Sequence, residues 1–277
     1  MIWKTKDHTF DLAGRGLIMG VLNVTPDSFS DGGRYFDPEV AAARAVEMEA
    51  EGADIIDIGG ESTRPGAKPV PEEEELRRVI PVITAVRRRT SAAISIDTMK
   101  ASVARAATAA GAGIINDISG LHYDPAMAAA AAEAGAGLVL MHMRGTPQTM
   151  QQQPHYADVV AEVRTSLTES IQRALDAGVA LEAIVTDPGI GFGKTLEHNL
   201  ALLRSPQAFA IHDRPVLIGV SRKSLFAKIL GSTAAPARLW PTVALTAAMR
   251  EKGARIFRVH DVRENAQALR MIEAILA

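Results

Sequence analysis

Polar residues stand at the ends of eight short apolar runs in this sequence. Carboxylate, amide, hydroxyl and imidazole groups can bind the donors and acceptors of a ligand and can neutralise charge. A single Asp after a strand often only caps the following turn, but polar endings on every run are difficult to assign to turn chemistry alone. They predict one pocket lined from many strands. The residues are Asn23, Asp57, Asp97, Asn116, His142, Asp187, Ser221 and His260.

Three of these residues, Asp97, Asn116 and Asp187, offer two carboxylates and an amide. Such groups can pair with a flat ring that carries N–H and amino donors. The pairing is specific, because an unpaired polar atom in a dry pocket costs about 1–3 kcal/mol. A metal held by the two carboxylates is the alternative. It is less favoured, because His and carboxylate ligands at a recognisable local spacing are absent from the sequence.

Arg258 and His260 are two residues apart in the last apolar run, so both project to the same side of a strand. Two cationic donors inside an apolar barrel would lack partners, which predicts an anion between them. A pyrophosphate is suitable, since Arg binds it bidentately and His adds a donor. For His260 alone, a structural core histidine is the alternative.

The segment Gly219-Val220-Ser221-Arg222-Lys223-Ser224 ends the seventh run and is predicted to open a helix. Free backbone N–H groups there could bind an anion, and Lys223 could donate to a carbonyl or stack beside a ring. A capped helix with solvated Arg222 and Lys223 is the alternative.

Three other loops carry residues of interest. Residues 187–195 superficially resemble a phosphate loop, but Gly189 comes one residue too late for GxxxxGK[ST]; Phe192 in this loop is either a wall for a flat ring or ordinary packing. Residues 59–67 are either a surface loop or a lid that excludes water. The loop that begins at Asn23 is far longer than the usual 2 to 6 residues between strand and helix, which indicates function.

The elements that position these residues are predicted to be βα units. A Gly-containing junction such as Glu51-Gly52-Ala53 recurs before five of the runs, and Gly can take the left-handed conformation that ends a helix. Eight runs in 277 residues, close to the ~250 residues typical of the fold, favour a (β/α)₈ TIM barrel in one domain spanning 1–277 over an open doubly wound sheet. Residues 3–14 are predicted to form a short hairpin that covers the barrel's lower mouth. The runs are Leu17–Leu22, Ile55–Ile58, Ala93–Ile96, Gly113–Ile115, Leu138–Met141, Ile184–Val185, Val216–Val220 and Ile256–Val259.

Composition narrows the function classes. The net charge of −2 gives no field for gathering nucleic acid or an anionic membrane. Without cysteine, the fold needs no disulfide, and a reducing compartment is consistent with the sequence. With no signal-peptide core and no strongly apolar span, we expect a cytoplasmic protein with no membrane partner.

In combination and order, these motifs resemble dihydropteroate synthase over nearly the whole chain. The resemblance implies a TIM barrel that condenses 6-hydroxymethyl-7,8-dihydropterin diphosphate with 4-aminobenzoate, releasing pyrophosphate and giving 7,8-dihydropteroate for folate synthesis. The matching segments are 23–33 (NVTPDSFSDGG), 57–66 (DIGGESTRPG), 96–98 (IDT), 116–117 (ND), 141–145 (MHMRG), 187–194 (DPGIGFGK), 221–224 (SRKS) and 258–262 (RVHDV).

The resemblance also implies site residues. Those expected around the pterin are Asp97, Asn116, Asp187 and Lys223, with Met141 and Phe192 near its faces. Those expected at the diphosphate are Asn23, which would also meet Mg²⁺, with Arg258 and His260. Asp57 and Ser221 are also expected to bind substrate. Those expected at 4-aminobenzoate are Phe29, Thr63, Arg64, Pro65 and Ser224. Of these, Asp97, Lys223, Arg258 and His260 are predicted to be catalytic, with Asp97 stabilising a cationic pterin methylene.

A helix of this family takes part in packing and dimerisation, so a homodimer is expected. Leu239-Trp240-Pro241-Thr242 stands where many members carry small residues, a departure that concerns the subunit interface and not the site. Two other functions use similar residues. One is a methyltetrahydrofolate-binding methyltransferase module, which leaves Arg258 and His260 unexplained. The other is a non-catalytic pterin-binding paralogue, which would be expected to lack some of the loop or anion-binding residues; none of them is missing from this sequence.

Overall fold

The protein folds as an eight-stranded parallel barrel surrounded by helices. The computed structural model describes residues 1–25, 37–232 and 235–277. The strands are β1 (Ile2–Lys4), β2 (Thr9–Asp11), β3 (Leu17–Asn23), β4 (Ile55–Gly59), β5 (Ala93–Asp97), β6 (Ile114–Asp117), β7 (Gly137–Met141), β8 (Ile184–Asp187), β9 (Leu217–Ile218) and β10 (Ile256–Val259). The helices are α1 (Pro38–Glu51), α2 (Glu72–Arg87), α3 (Ala101–Ala110), α4 (Met127–Ala134), α5 (Val159–Asp176), α6 (Leu196–Arg204), α7 (Leu225–Leu230), α8 (Leu239–Glu251) and α9 (Val262–Leu276).

The barrel consists of β3 to β10 in the order β8-β7-β6-β5-β4-β3-β10-β9. A parallel bridge between Thr186 and Val216 joins the two ends of this sheet, so the barrel closes. The strands are buried on both faces, which explains why they appear in the sequence as apolar runs without alternation. The predicted (β/α)₈ barrel and all eight of its predicted strands are confirmed.

The helix ends follow the predicted junctions. Asp37 caps α1 by accepting from the Glu39 N–H, with Pro38 as the first helical residue. Gly52 ends α1 at φ +111° and Gly135 ends α4 at φ +60°, both in the left-handed region that favours glycine. Each helix therefore stops where the next strand must begin.

The hairpin β1–β2 closes one mouth of the barrel, as predicted. Trp3 is fully buried and stacks on Phe10, with ring centroids 5.5 Å apart. The Trp3 indole N–H donates to the Ala183 carbonyl at 2.9 Å, which satisfies its polar atom. These rings pack with Leu12 and Leu17 against the side chains at the starts of the strands. This mouth is filled, so the opposite mouth is left for a ligand.

Strand register brings polar groups together at that opposite mouth. Asn23 pairs with Gly59, Gly59 with Asp97, and Asp97 with Asn116. Asp57 lies two residues before the end of β4, one row deeper in the barrel. In barrels of this kind the carboxyl ends of the strands carry the active site. In the part of the chain described, no helix is long and apolar enough to span a membrane.

Candidate active site

A half-buried arginine links three strands at the open mouth. Arg258 of β10 donates from Nε to Asp57 Oδ2 and from Nη2 to Asp97 Oδ2, both at 2.6 Å. Asn116 of β6 donates from Nδ2 to the same Asp57 oxygen at 3.1 Å. Asp57 is fully buried, and its Oδ1 has no hydrogen-bond partner among the described residues. The arrangement fixes Arg258 and leaves one acceptor oxygen available to a ligand.

Asp97 has an unusual proton affinity. Burial raises its pKa to about 7, while the Arg258 charge opposes this increase and the Asp57 charge adds to it. A carboxyl group with such a pKa can exist in either protonation state near neutral pH. Burial opposes the charged form of Arg258, but the charges of Asp57 and Asp97 outweigh this effect and hold the pKa of the guanidinium above its ordinary value.

Apolar side chains cluster at the same mouth, and we call this cluster the slot. Met99, Ile118 and Met141 form a buried cluster, and Met143 and Phe192 pack against it while remaining partly exposed. Such a surface suits the faces of a flat ring, while the polar groups at its rim can bind the ring's edge. Phe192 therefore packs on the protein, and its role as a wall for a flat ring stays a prediction.

Lys223 lies over the Phe192 ring, with Nζ 4.0 Å from the ring centroid, and donates to the Ile190 carbonyl. Burial lowers the pKa of Lys223 to about 7, although the Asp187 charge opposes this decrease. Asp187 accepts from the Gly189 N–H at 2.7 Å, and burial raises its pKa. Lys223 thus already contacts a backbone carbonyl and an aromatic ring of the protein, and its contacts with a ligand stay a prediction.

Hydrogen bonds from buried side chains hold the turn from Asp187 to Lys194 in place. Buried Lys194 donates from Nζ to the carbonyls of Gly189 at 3.0 Å and Phe192 at 2.9 Å, and lies 3.0 Å from His142 Nδ1. Burial and the Lys194 charge lower the pKa of His142 to about 2, so this imidazole is neutral. Asn199 accepts from the Gly191 N–H at 2.6 Å. These contacts keep Phe192 and Lys223 in place.

His260 follows β10 at the side of the slot. Its backbone N–H donates to Ser221 Oγ at 3.1 Å, and its Nδ1 lies 3.0 Å from the same oxygen. Burial, followed by the charges of Arg258 and Arg222, lowers the pKa of His260 to about 3. Arg222 is exposed and forms a two-bond ion pair with Asp261, at 3.1 and 2.5 Å. Arg44, Glu51, Arg222, His260, Asp261 and Arg263 line part of a cleft of about 260 Å³ beside it.

The structure brings most of the predicted residues together. Eight of them share contacts or a register row around the slot, namely Asp57, Asp97, Asn116, Met141, Asp187, Phe192, Lys223 and Arg258. Ser221 and His260 lie beside them. Asn23 ends β3 in the adjacent row. Thr63 is half-buried, whereas Arg64, Pro65 and Ser224 are exposed on loops at this mouth. Phe29 lies outside the described residues.

One premise of the sequence interpretation is wrong. Arg258 was expected to lack partners inside the barrel, but Asp57 and Asp97 already neutralise it. The two carboxylates arrive from strands about 200 and 160 positions earlier in the chain, so the period-2 pattern that indicated the direction of Arg258 could not reveal them. The seventh strand does lead into a helix as predicted, but α7 has only six residues.

Sequence reasoning missed several residues of the site. Met99 and Ile118 each follow a predicted site residue by two positions, and an apolar residue at that offset is a usable signal for the same pocket. Lys194 and Asn199 bind backbone carbonyls and N–H groups that only the folded turn brings together. Within the described ranges, no cluster of three His, Cys, Asp or Glu side chains could hold a metal ion.

Comparison with known proteins agrees with this geometry. Residues 19–260 match the family model described as "Pterin binding enzyme". The dihydropteroate synthase of Escherichia coli K12 is 48% identical over 260 residues, which cover 94% of this chain and 92% of that protein. The Xanthomonas albilineans dihydropteroate synthase structure with 4-aminobenzoic acid has a TM-score of 0.93 at 43% identity, covering 100% of this chain and 98% of that one. The Burkholderia cenocepacia dihydropteroate synthase complexed with 7,8-dihydropteroate has a TM-score of 0.89 at 44% identity, covering 99% and 96%. This chain therefore belongs to the dihydropteroate synthase family of pterin-binding enzymes.

Proposed function

We propose that this protein joins 6-hydroxymethyl-7,8-dihydropterin diphosphate to 4-aminobenzoate, giving 7,8-dihydropteroate and pyrophosphate in folate biosynthesis. The observation that carries the proposal is the apolar slot of Met99, Ile118 and Met141, with a rim of carboxylate, amide and ammonium groups. A flat pterin has apolar faces and an edge of N–H, amino and carbonyl groups. The slot matches both.

The rim of the slot divides the recognition of the ring between acceptors and donors. Asp57 Oδ1 and the Asp187 carboxylate can accept from ring N–H and amino groups, and Lys223 can donate to the ring carbonyl. Asn116 can do both, since its carboxamide oxygen takes no part in the bond to Asp57. A ring without these groups would leave the buried acceptors unpaired, at a cost of about 1–3 kcal/mol each.

The chemical step breaks the bond between the pterin methylene carbon and the diphosphate oxygen, and the electron pair leaves with the diphosphate. The arylamine nitrogen then attacks the methylene carbon and loses a proton. Asp97, when ionised, stabilises the cationic methylene by its charge. A neutral arylamine needs no strong general base, so exclusion of water matters more, because water would capture the cation.

The leaving diphosphate is assigned to Asn23, Ser221, Arg258 and His260. Asn23 fits a Mg²⁺ site: it ends β3 at the open mouth, it is half-buried, and its carboxamide oxygen is a hard ligand. Mg²⁺ commonly takes one or two protein ligands together with substrate phosphate oxygens, and when bound it would neutralise the departing charge. His260 is neutral at physiological pH, so it contributes as a hydrogen-bond donor.

The arylamine is assigned to the two loops that flank the mouth. Thr63, Arg64, Pro65 and Phe29 would cover 4-aminobenzoate, and its carboxylate would lie at Ser224. The charge of Arg64 contributes to the lowered pKa of His260, which supports assigning this loop to the same side of the mouth as His260. Closing both loops would exclude water from the cation.

A cytoplasmic homodimer completes the proposal. The helices α7 to α9 expose large apolar side chains, including Trp240 at 69%, Met271 at 65% and Ile275 at 67%. Exposed apolar side chains of this size on neighbouring helices are typical of subunit interfaces. Trp240→Arg should therefore shift the protein from dimer to monomer in sedimentation experiments. A wild-type protein that sediments as a monomer at micromolar concentration would overturn this part of the proposal.

A coupled assay for pyrophosphate tests the activity directly. The wild type with pterin diphosphate, 4-aminobenzoate and Mg²⁺ should release pyrophosphate and form dihydropteroate. Asp97→Asn should lower kcat by about 100-fold or more, as expected for loss of a charge that stabilises the transition state. Absence of product at saturating Mg²⁺ would reject the synthase, and calorimetric pterin binding without turnover would instead identify a binding protein. A fully active Asp97→Asn variant would reject the role of Asp97 alone.

A further inference from the structure

Three buried charges lie directly behind the catalytic mouth. Lys100, the residue before α3, places Nζ 2.5 Å from Glu61 Oε2 and 2.5 Å from Glu75 Oε2. The exposed fractions of the three side chains are 13%, 11% and 1%. Glu61 belongs to the loop after β4, and Glu75 lies on α2. An ion pair shielded from solvent in this way is much less screened than a surface pair, and removing one partner leaves an uncompensated buried charge.

The loop after β4 is held against α2 at the preceding residue as well. Arg78 of α2 donates from Nη1 to the Gly60 carbonyl at 2.8 Å. A Cβ at Gly60 would lie 2.7 Å from Val79 and 3.2 Å from Glu75, so the backbone passes directly over the helix. Gly60 and Glu61 therefore form a fixed base from which residues 62–65 extend.

Lys100 also connects this base to the catalytic strand. It lies three residues after Asp97, and its backbone N–H donates to Thr98 Oγ1 at 3.2 Å. Thr98 in turn donates from its N–H to the Asn116 carbonyl at 3.2 Å. Lys100 thus joins the segment that leaves β5 to the loop that leaves β4. Thr63 and Arg64 follow Glu61 by two and three residues.

We propose that Lys100 is a positioning residue: through Glu61 and Glu75 it holds the base of the loop that carries Thr63, Arg64 and Pro65 over the arylamine. The identity of that substrate rests on the proposed function. Lys100 touches no reacting atom. The Lys100 ammonium bonds to Glu61 and Glu75 and not to the side chains assigned to the pterin, so its loss should weaken productive binding of the arylamine and leave pterin binding almost unaffected.

Lys100→Met tests the proposal, because Met keeps the length of the side chain and removes the charge. KM for 4-aminobenzoate should rise about tenfold, while the calorimetric Kd for dihydropterin diphosphate should change by less than about twofold. Amide hydrogen exchange in residues 61–67 should become faster. Lys100→Arg, which can still pair with both carboxylates, should restore both properties. Lys4→Met is the matched control, since it breaks an exposed ion pair at the opposite mouth, between Lys4 of the hairpin and Glu182 in the turn before β8.

Two results would overturn the proposal. One is unchanged exchange in residues 61–67 together with an unchanged KM for 4-aminobenzoate. The other is a parallel loss of both substrates with general destabilisation, which would make Lys100 a structural residue only. If Lys100→Met does not fold, Glu61→Gln keeps an acceptor without the charge and carries the same expectations. If the wild type forms no dihydropteroate, the proposed function fails, but the exchange measurement still decides whether Lys100 anchors the loop.

Discussion

Replacing Arg258 by Met should destabilise the protein by about 3–5 kcal/mol, the usual cost of removing one partner of a buried ion pair. Arg258 makes two bonds of 2.6 Å, to Asp57 and Asp97, whose side chains are 0% and 7% exposed. Two carboxylates lose their counterion, but the cost should not double. Asp97 already has a pKa of about 7, so it can take up a proton and remove one of the two charges.

The effect of pH follows from the same argument. Arg258 opposes the increase in the pKa of Asp97, so its removal should raise that pKa further. An acid whose pKa is higher in the folded state favours folding at low pH, and this contribution is lost as pH rises through the folded pKa. The destabilisation by Arg258→Met should therefore be smaller at pH 5 than at pH 8.

Urea unfolding at both pH values, combined with a double-mutant cycle, measures these quantities. Asp57→Asn and Asp97→Asn each remove one carboxylate, so the loss caused by Arg258→Met should be clearly smaller in either background. Arg263→Met is a suitable control, because Arg263 is 66% exposed and its ion pair with Glu51 is long, at 3.8 Å. Exposed pairs of this kind contribute about 0–1 kcal/mol. A loss below about 1 kcal/mol for Arg258→Met, or no coupling to either Asp, would refute the buried network as a source of stability.

Two further predictions concern buried histidines and a glycine. Burial lowers the pKa of His142 to about 2 and that of His260 to about 3, whereas both have a pKa near 6.5 in the unfolded chain, so the unfolded state takes up protons first and stability is lost as pH falls below about 6.5. At pH 5 each histidine should lower the free energy of unfolding by about 2 kcal/mol. His142→Asn should therefore flatten the pH dependence of stability measured by urea unfolding. Gly191→Ala should weaken pterin binding in calorimetry, because the new Cβ would lie 2.8 Å from Lys223 Cδ and would displace that side chain, at a residue with φ +84°. Gly253→Ala is the control, with a similar φ of +97° and no atom within 4 Å of the new Cβ. An unchanged pH profile for His142→Asn, or equal pterin affinity in the two Gly variants, would contradict these expectations.

The barrel was predictable because its determinants are local. A strand buried on both faces must be an apolar run, as at Leu17–Asn23, and a helix that stops just before a strand must place a residue such as Gly52 in the left-handed region. The direction of the chain then brings the strand ends to one mouth. The convergence of Asp97, Asn116 and Asp187 at that mouth follows from topology alone.

The partners of the buried charges were not predictable in this way. Lys194 appeared in the sequence as part of an imperfect phosphate loop, yet its ammonium group binds backbone carbonyls of its own turn. Lys100 gave no signal, because Glu61 and Glu75 approach it only after α2 has folded back on β4 and β5. Period and spacing indicate which face a side chain takes, whereas hydrogen-bond partners depend on atoms from distant parts of the chain.

The pairing of Arg258 changes how its proposed role should be understood. Its Nε and Nη2 groups each donate one N–H to a carboxylate, and the N–H groups on Nη1 take no part in these two bonds. A guanidinium has five N–H donors, and one held by two buried acceptors has already lost its side-chain freedom before a ligand arrives. A diphosphate that meets the free edge would gain a charge-assisted contact without that entropic cost. Asp57 and Asp97 thus show that Arg258 is not an unsupported cation, and they are also the reason that it is pre-organised to bind a diphosphate.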